Sequence, residues 1–490
     1  MGDVLGNLKP APLWKHFEKL CSIPRPSKYE QQAAAYVYEF AKSCGLQAIR
    51  DEAGNIIVKK PATKGMENRR TVVLQTHLDM VPQKNQEVQH DFTKDPIKPR
   101  VEGDLVKATG TTLGADNGIG VAAALAVLEA KDLVHGPVEA LFTIDEEAGM
   151  TGANMLKSGL LDGDILFNLD SEDEGELCIG CAGGMDVIAT LAYKEEAPLA
   201  GAVAFKLSVA GLKGGHSGVD IHLGRANANK VMTRLLWEAR RDVDLRIASW
   251  EGGDLRNAIP RWGNAVVTVP ADKADAFQKK VHAITADIQK EFATADPGIK
   301  VGLEKCPVPA KVIDKAAGER LLNALYAAPH GAFAMIHDMP TVTETSTNLA
   351  IVKSNGGQVT ITNMLRSSVD TKKTDVGNMI RSVFESAGAA VNTAGSYPGW
   401  QPNTASPVLK MLREVYQTKF GKTPSVTATH GGLECGIIRS NYPAMDALSF
   451  GPTIKYPHSP DEFVEVPSVQ KFWDFLVDVL RQIPVKGSVA

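Results

Sequence analysis

The sequence predicts an α/β catalytic domain, a mostly parallel sheet flanked by helices, interrupted by an inserted α+β lid. Three observations carry this expectation. The apolar runs in TVVLQTHLDM, VEALFTIDEE and DILFNLD each turn polar only at their carboxyl ends. An Ala-rich stretch of helical length, VAAALAVLEA, lies between the first two. Asp170 and His458, both suited to one site, are 288 residues apart in the sequence, so a sizeable segment must leave the domain and return.

Each element has a local reason. Val72, Val73 and Leu74 form an apolar run without Gly or Pro, the pattern of a strand buried on both faces. Alternation beyond it places His77 and Asp79 on one face. Asp116 stands in GADNG, where Gly permits a tight turn before the Ala-rich helix. The next two strands deliver Glu146 with Glu147, and Asp170, and the Pro-bounded KYPHSP delivers His458. In open α/β sheets, ligands bind at the carboxyl ends of strands.

These side chains need a cation. Several carboxylates converging at strand ends repel one another, and a desolvated unpaired carboxylate is costly. Imidazoles and carboxylates without thiolate suit zinc, with cobalt or manganese as substitutes. Two His and three acidic ligands exceed one tetrahedral ion and fit two ions sharing a carboxylate, an arrangement suited to activating water for hydrolysis. Singly, each residue has a plainer reading: a His bonded to a carbonyl, an Asp in a turn, a solvated Glu pair, a surface-loop His. The set points to metal.

The insertion is expected at 187–399, between catalytic segments 1–186 and 400–490, with CAGGMD at 181–186 and the loop at 395–406 as hinges. AVAFKLSVAGL and NAVVTVP read as its strands and ADAFQKKVHAITADIQKEF as a helix. An internal duplication is expected: the stretches opening at LRIASWEGG and at TNLAIVKSNGG each run strand, Gly-Gly turn, strand, amphipathic helix.

Composition excludes other classes. With 490 residues, 44% hydrophobic and 22% charged, the chain is an ordinary globular protein of more than one core. A net charge of −4 argues against nucleic acid or an anionic membrane as partner. No run approaches the ~20 apolar residues of a membrane span, and MGDVLGNLKPAPLWKHF matches neither a secretory signal nor a myristoylation site, so a cytoplasmic location is expected. Six cysteines make no disulfide scaffold, and Cys178 and Cys181 read as buried thiols because no second close pair completes a zinc ribbon. GADNGIG, on which alone a dehydrogenase reading rests, has neither dinucleotide-fingerprint nor P-loop spacing, and an absence of NADH binding by fluorescence would end that reading.

THLDMV, GADNGIGVAAALA, IDEEAGMTGA, NLDSEDEG and YPHSPDE together resemble the co-catalytic zinc exopeptidases, the group of carnosinases, aminoacylases and related carboxypeptidases. The resemblance spans essentially the whole chain, with the motifs in the family's order. It implies that Asp116 bridges two zinc ions, with His77 and Asp170 on one and Glu147 and His458 on the other. Glu146 is then the general base. Asp79 orients His77 through its other ring nitrogen, and the Asp116–Asn117 peptide is cis.

The resemblance runs nearest to the dipeptidases of that group. It implies hydrolysis of unblocked dipeptides, Xaa-His types included, by a homodimer built through the lid. His216 in KGGHSG would then reach the partner subunit's site, and Arg366 in NMLRSS would grip the substrate carboxylate, which its planar fork suits. Asn257 and Gly432 are further substrate-binding candidates, and His430 has no assigned role. An N-acyl amino acid deacylase or carboxypeptidase could use the same metal site. A metal-free scaffold would have lost Glu146 or a ligand, and all are present.

Overall fold

A computed structural model describes residues 4–487. The described residues form two compact units, one of residues 4–180, 402–428 and 433–487, the other of residues 181–401 and 429–432.

The first unit is built on an eight-stranded sheet: β1 (Gln47–Arg50), β2 (Ile56–Lys60), β3 (Val72–His77), β4 (Val138–Thr143), β5 (Ile165–Asn168), β6 (Glu176–Cys181), β7 (Ser425–Thr429) and β8 (Asp446–Ser449). Their order is β1-β2-β4-β3-β5-β8-β6-β7. The sheet is parallel at its centre, where β3 pairs with β4 and β5, and β5 with β8. It is antiparallel at β1/β2, β2/β4 and β8/β6. Expected as mostly parallel, it is mixed, because hairpin-type neighbours extend a parallel centre whose two faces must be covered.

Burial explains the central strands. Every residue of β3, β4 and β5 is buried, and the helix Ala115–Glu129 packs on β3. That helix is buried from Ala115 through Leu128, consistent with an apolar sequence all round its circumference. Gly114 precedes it in the left-handed region, at φ +69°, as a turn there requires.

The second unit contains a nine-stranded antiparallel sheet. Its centre is the junction of Arg246–Gly252 with Met339–Asn355. Outward on one side lie Gly263–Pro270, Ala202–Ala210 and Lys300–Cys306, and on the other Gln358–Ser367, Gly183–Ala192 and Ala390–Tyr397. Gly331–Ile336 adds to Met339–Asn355. The two halves are laid out alike, with the helices Ala274–Glu291 and Asp370–Ser386 following corresponding strands. Trp250, Phe205, Phe277 and Phe384 belong to one apolar core beneath the sheet.

Among the described residues no helix is long and apolar enough to cross a membrane. Cys178 and Cys181 are both buried.

Phe142 is fully buried in β4, the strand leading into the Glu146–Glu147 turn. Phe142→Ala should cost about 3–5 kcal/mol. Urea unfolding checks this, as a lower midpoint at unchanged slope.

Candidate active site

The parallel centre of the sheet brings together what the sequence separates. β4, β3 and β5 run side by side, so the residues just beyond their carboxyl ends meet along one edge. His77 ends β3. Beyond β4 the chain turns through Asp145, at φ +53°, into Glu146 and Glu147. Asp170 follows β5 by two residues.

Asp116 enters from the loop before the buried helix. Asp116 and Asn117 have non-helical dihedrals and their peptide bond is cis. Asn117 donates to the Leu169 carbonyl at 2.7 Å, joining this loop to the Asp170 segment. His458 arrives in its loop at φ +61°, a left-handed conformation rare for a residue with a side chain and concentrated at functional segments.

The distances divide the cluster in two. His77 Nε2 lies 3.1 Å from Asp116 Oδ1 and 3.2 Å from Asp170 Oδ1. His458 Nε2 lies 3.2 Å from Asp116 Oδ2 and 3.0 Å from Glu147 Oε2. Asp116 therefore offers one oxygen to each half. In each trio, His77–Asp116–Asp170 and Asp116–Glu147–His458, the donor atoms lie within 4.8 Å of one another, and His77, Glu146 and Glu147 form a third such group. Asp79 Oδ1 is 3.3 Å from His77 Nδ1, on the ring edge away from the cluster.

The electrostatics are those of a site short of positive charge. Burial alone would lower the His77 pKa, but Asp170 and Asp116 hold it well above the ordinary value. Hydrogen bonds to Asp116 and Glu147 raise His458 to about 11. Burial pushes Glu146 well above the usual carboxylate range and Asp170 to about 6. Asp116 stays low: its burial is outweighed by both imidazoles. Glu147 Oε1 is buried without a hydrogen-bond partner. Two imidazoles, several carboxylates and an orphaned carboxylate oxygen fit a pair of divalent cations.

The lid residues gather separately within the second unit. His216 pairs in register with Ala258, and Ser217 N donates to the Asn257 carbonyl at 2.8 Å. Arg366 is buried, with Nε 3.3 Å from Ser217 Oγ, Nη1 3.2 Å from Tyr397 OH and Nη2 3.3 Å from His216 Nε2. Ser346, the cross-strand neighbour of Arg366, lies 2.7 Å from His430 Nε2. Burial and Arg366 lower the pKa of His216, and lower that of His430 to about 3, which disfavours a second positive charge beside the guanidinium. Asn257 is exposed, and Gly432 closes the 429–432 stretch that also carries His430.

Sequence reasoning missed several residues around the metal cluster. Glu434, fully buried, accepts from Gln75 Nε2 at 2.6 Å and Thr143 Oγ1 at 2.7 Å, and burial lifts its carboxyl to about 8. Gln75 in turn accepts from Asn168 at 2.6 Å. Polar Gln75 and Asn168 inside otherwise apolar strands, each two residues before a ligand, were the available signal. The glycines of GADNGIG also do more than turn the chain. A Cβ at Gly118 would come 2.7 Å from Arg25 Nη2 and 2.9 Å from Phe17 Cε2, and one at Gly120 would come 2.6 Å from the Leu169 carbonyl.

Residues 73–482 match the family described as peptidase family M20/M25/M40, and the chain belongs to that family. The motif-based recognition of a zinc-exopeptidase family member therefore stands. Over 482 residues the chain is 47% identical to the cytosol non-specific dipeptidase of Escherichia coli, covering 98% of this chain and 99% of that one. The crystal structure of aminoacylhistidine dipeptidase from Vibrio alginolyticus is 46% identical, with a TM-score of 0.94 over 99% of each chain. Aminopeptidase PepT from Bacillus cereus, at 16% identity and a TM-score of 0.57 over 97% of this chain and 99% of that one, shares the fold.

Gly118→Ala should destabilise by about 1–3 kcal/mol, the usual range for overpacking. Gly318 sits in the helix Lys315–Ala327 with open space around its missing Cβ, so Gly318→Ala should stabilise by roughly 0.5–1 kcal/mol. Chemical denaturation of the pair separates crowding from backbone entropy.

Proposed function

We propose that this chain is a metal-dependent dipeptidase that hydrolyses the peptide bond of unblocked dipeptides, Xaa-His types among them, with two zinc ions per chain for which cobalt or manganese can substitute. The observation that carries this reading is Asp116, one carboxylate with an oxygen toward each of two imidazoles. The names and extent of similarity of the Escherichia coli and Vibrio alginolyticus proteins support the substrate class. The former's name also supports a cytoplasmic location.

His77 and Asp170 would hold one ion, Glu147 and His458 the other, and Asp116 both. Bound divalent ions supply Lewis acidity, lowering the pKa of water and polarising a carbonyl. The chain's own residues supply the proton transfers. Glu146 leaves the ligand pairs to its neighbour Glu147, and burial raises its pKa, which makes its carboxylate the more basic and suits it to accept a proton from attacking water and return it to the leaving amine. Asp79 fixes the ring of His77 from behind and accepts from the backbone N–H groups of Glu146 and Glu147 at 3.0 and 3.1 Å, so one carboxylate orients both a ligand and the base.

The lid residues take roles suggested by family resemblance. Arg366, whose hydrogen-bond partners among the described residues are neutral, is suited to the substrate's terminal carboxylate, with Asn257 and the backbone at Gly432 beside it. His216 would serve the metal site of the partner subunit in a homodimer.

A panel of dipeptides, acylated amino acids and tripeptides, run with metal analysis, tests the reading. Turnover confined to acylated amino acids would replace the dipeptidase with a deacylase. Glu146→Gln should keep its metal and fold while kcat falls about 10²–10⁴-fold. Near-normal turnover in that variant would remove Glu146 from the base role.

Mixing inactive His216→Ala and Glu146→Gln proteins should restore activity once subunits exchange. Each mixed dimer then has one site with both residues intact, so recovery is capped at about one quarter of the wild-type rate for random pairing in a two-fold dimer. Demonstrated exchange without recovery would confine His216 to its own chain or to no catalytic role.

A further inference from the structure

Two buried charged side chains outside the proposed ligand set hold the ligand-bearing loops by their main chain. Glu462, four residues after His458, accepts from four successive backbone N–H groups. Leu113 and Gly114 reach Oε2 at 2.7 and 2.9 Å, and Ala115 and Asp116 reach Oε1 at 2.8 and 3.3 Å. Arg25 donates from Nη1 to the carbonyls of Leu78 and Asp79, at 3.0 and 2.9 Å, and from Nη2 to that of Gly114 at 2.6 Å. Both side chains are 2% exposed.

The two meet on one peptide segment. Gly114 gives its N–H to Glu462 and its carbonyl to Arg25. Three segments distant in sequence are thereby tied together: 77–79 with His77, 113–116 with Asp116, and 458–462 with His458. The fit leaves no slack, since a Cβ at Gly114 would lie 2.7 Å from Arg25 Nη2, the same separation found at Gly118. Both Glu462 oxygens accept two N–H groups each, as a carboxylate does, and charge-assisted bonds are the stronger class; here they act on backbone, so they fix where a loop lies rather than where one side chain points.

We propose that Arg25 and Glu462 are positioning residues of the metal centre. They set the mutual spacing of His77, Asp116 and His458, so that metal affinity depends on them more steeply than folding does. This rests on the reading of the cluster as a metal site. The physical reason is tolerance: a functional constellation must be held to within about 0.5 Å, and Asp116 must face two imidazoles that arrive on different loops. Packing of the core holds β3 and buries 113–116, but the loop at 458–461 is half-buried to exposed, so its spacing from 113–116 depends on the bonds that Glu462 makes.

The test measures zinc affinity by competition with a chromophoric chelator, together with the thermal midpoint of the metal-stripped proteins, for wild type, Glu462→Gln, Arg25→Lys and Asp116→Ala. Glu462→Gln replaces an acceptor oxygen with a donor facing N–H groups, and Arg25→Lys keeps the charge but loses the fork. Each should weaken zinc binding at least about tenfold, as loss of outer partners of metal ligands does, in metal-stripped protein that still unfolds cooperatively. Unchanged zinc affinity in both variants overturns the proposal, as does a fall in the stripped midpoint without loss of affinity. If Glu462→Gln does not fold, Arg25→Lys decides, and failure of both to fold also overturns it. Wild type that binds no zinc, or Asp116→Ala that binds it as tightly as wild type, removes instead the reading of the cluster as the metal site.

Discussion

Burying many carboxylates at one edge of a sheet is the constraint on which the rest of this structure depends. Asp79, Asp116, Glu147, Asp170 and Glu434 lie at or near the carboxyl ends of the parallel strands, and Glu462 lies against the segment that carries Asp116. Each must be compensated, because an uncompensated buried charge costs far more than any single contact returns. The chain divides them by the kind of partner it provides. Asp79 and Glu462 are met by backbone N–H groups, Asp79 also by the Ser27 hydroxyl. Glu434 is met by a buried amide and a hydroxyl. Asp116, Asp170 and Glu147 have imidazoles for partners. The first group ties chain segments together, and the last is left for a ligand of higher charge.

That division gives the scaffold its shape near the site. Strands β3, β4 and β5 are apolar until their last residues, so core packing fixes their direction and leaves polar chemistry at one end. The segment that adds Asp116 is buried, while the loop that adds His458 is half-buried to exposed. They are held by side chain to main chain bonds, from Asn117 to Leu169 and from Glu462 to residues 113–116, and glycine appears where those side chains pass.

The second unit applies the opposite rule to a cation. Arg366 is buried among a hydroxyl, a phenol and an imidazole, and no carboxylate forms an ion pair with it among the described residues. An unneutralised guanidinium in a rigid strand is suited to an anion that arrives from outside, as Asp116 and its neighbours are suited to a cation.

The sequence by itself determined the α/β class, the buried helix after GADNG, the strands that carry His77, Glu146, Glu147 and Asp170, and the family. These are local signals: apolar runs with polar ends, helical periodicity and motifs in fixed order. It also suggested the like order of strands and helix around the two Gly-Gly turns of the lid. Tertiary structure alone decided what compensates the charges. That Glu434 lies under β3 and β4, and that Arg25 and Glu462 meet on Gly114, depend on contacts between residues tens to hundreds of positions apart, for which no local pattern exists. The antiparallel flanks of the central sheet fall in the same class. Pairing direction at an edge is set by which neighbour the returning chain finds, and the strand's own alternation does not record it.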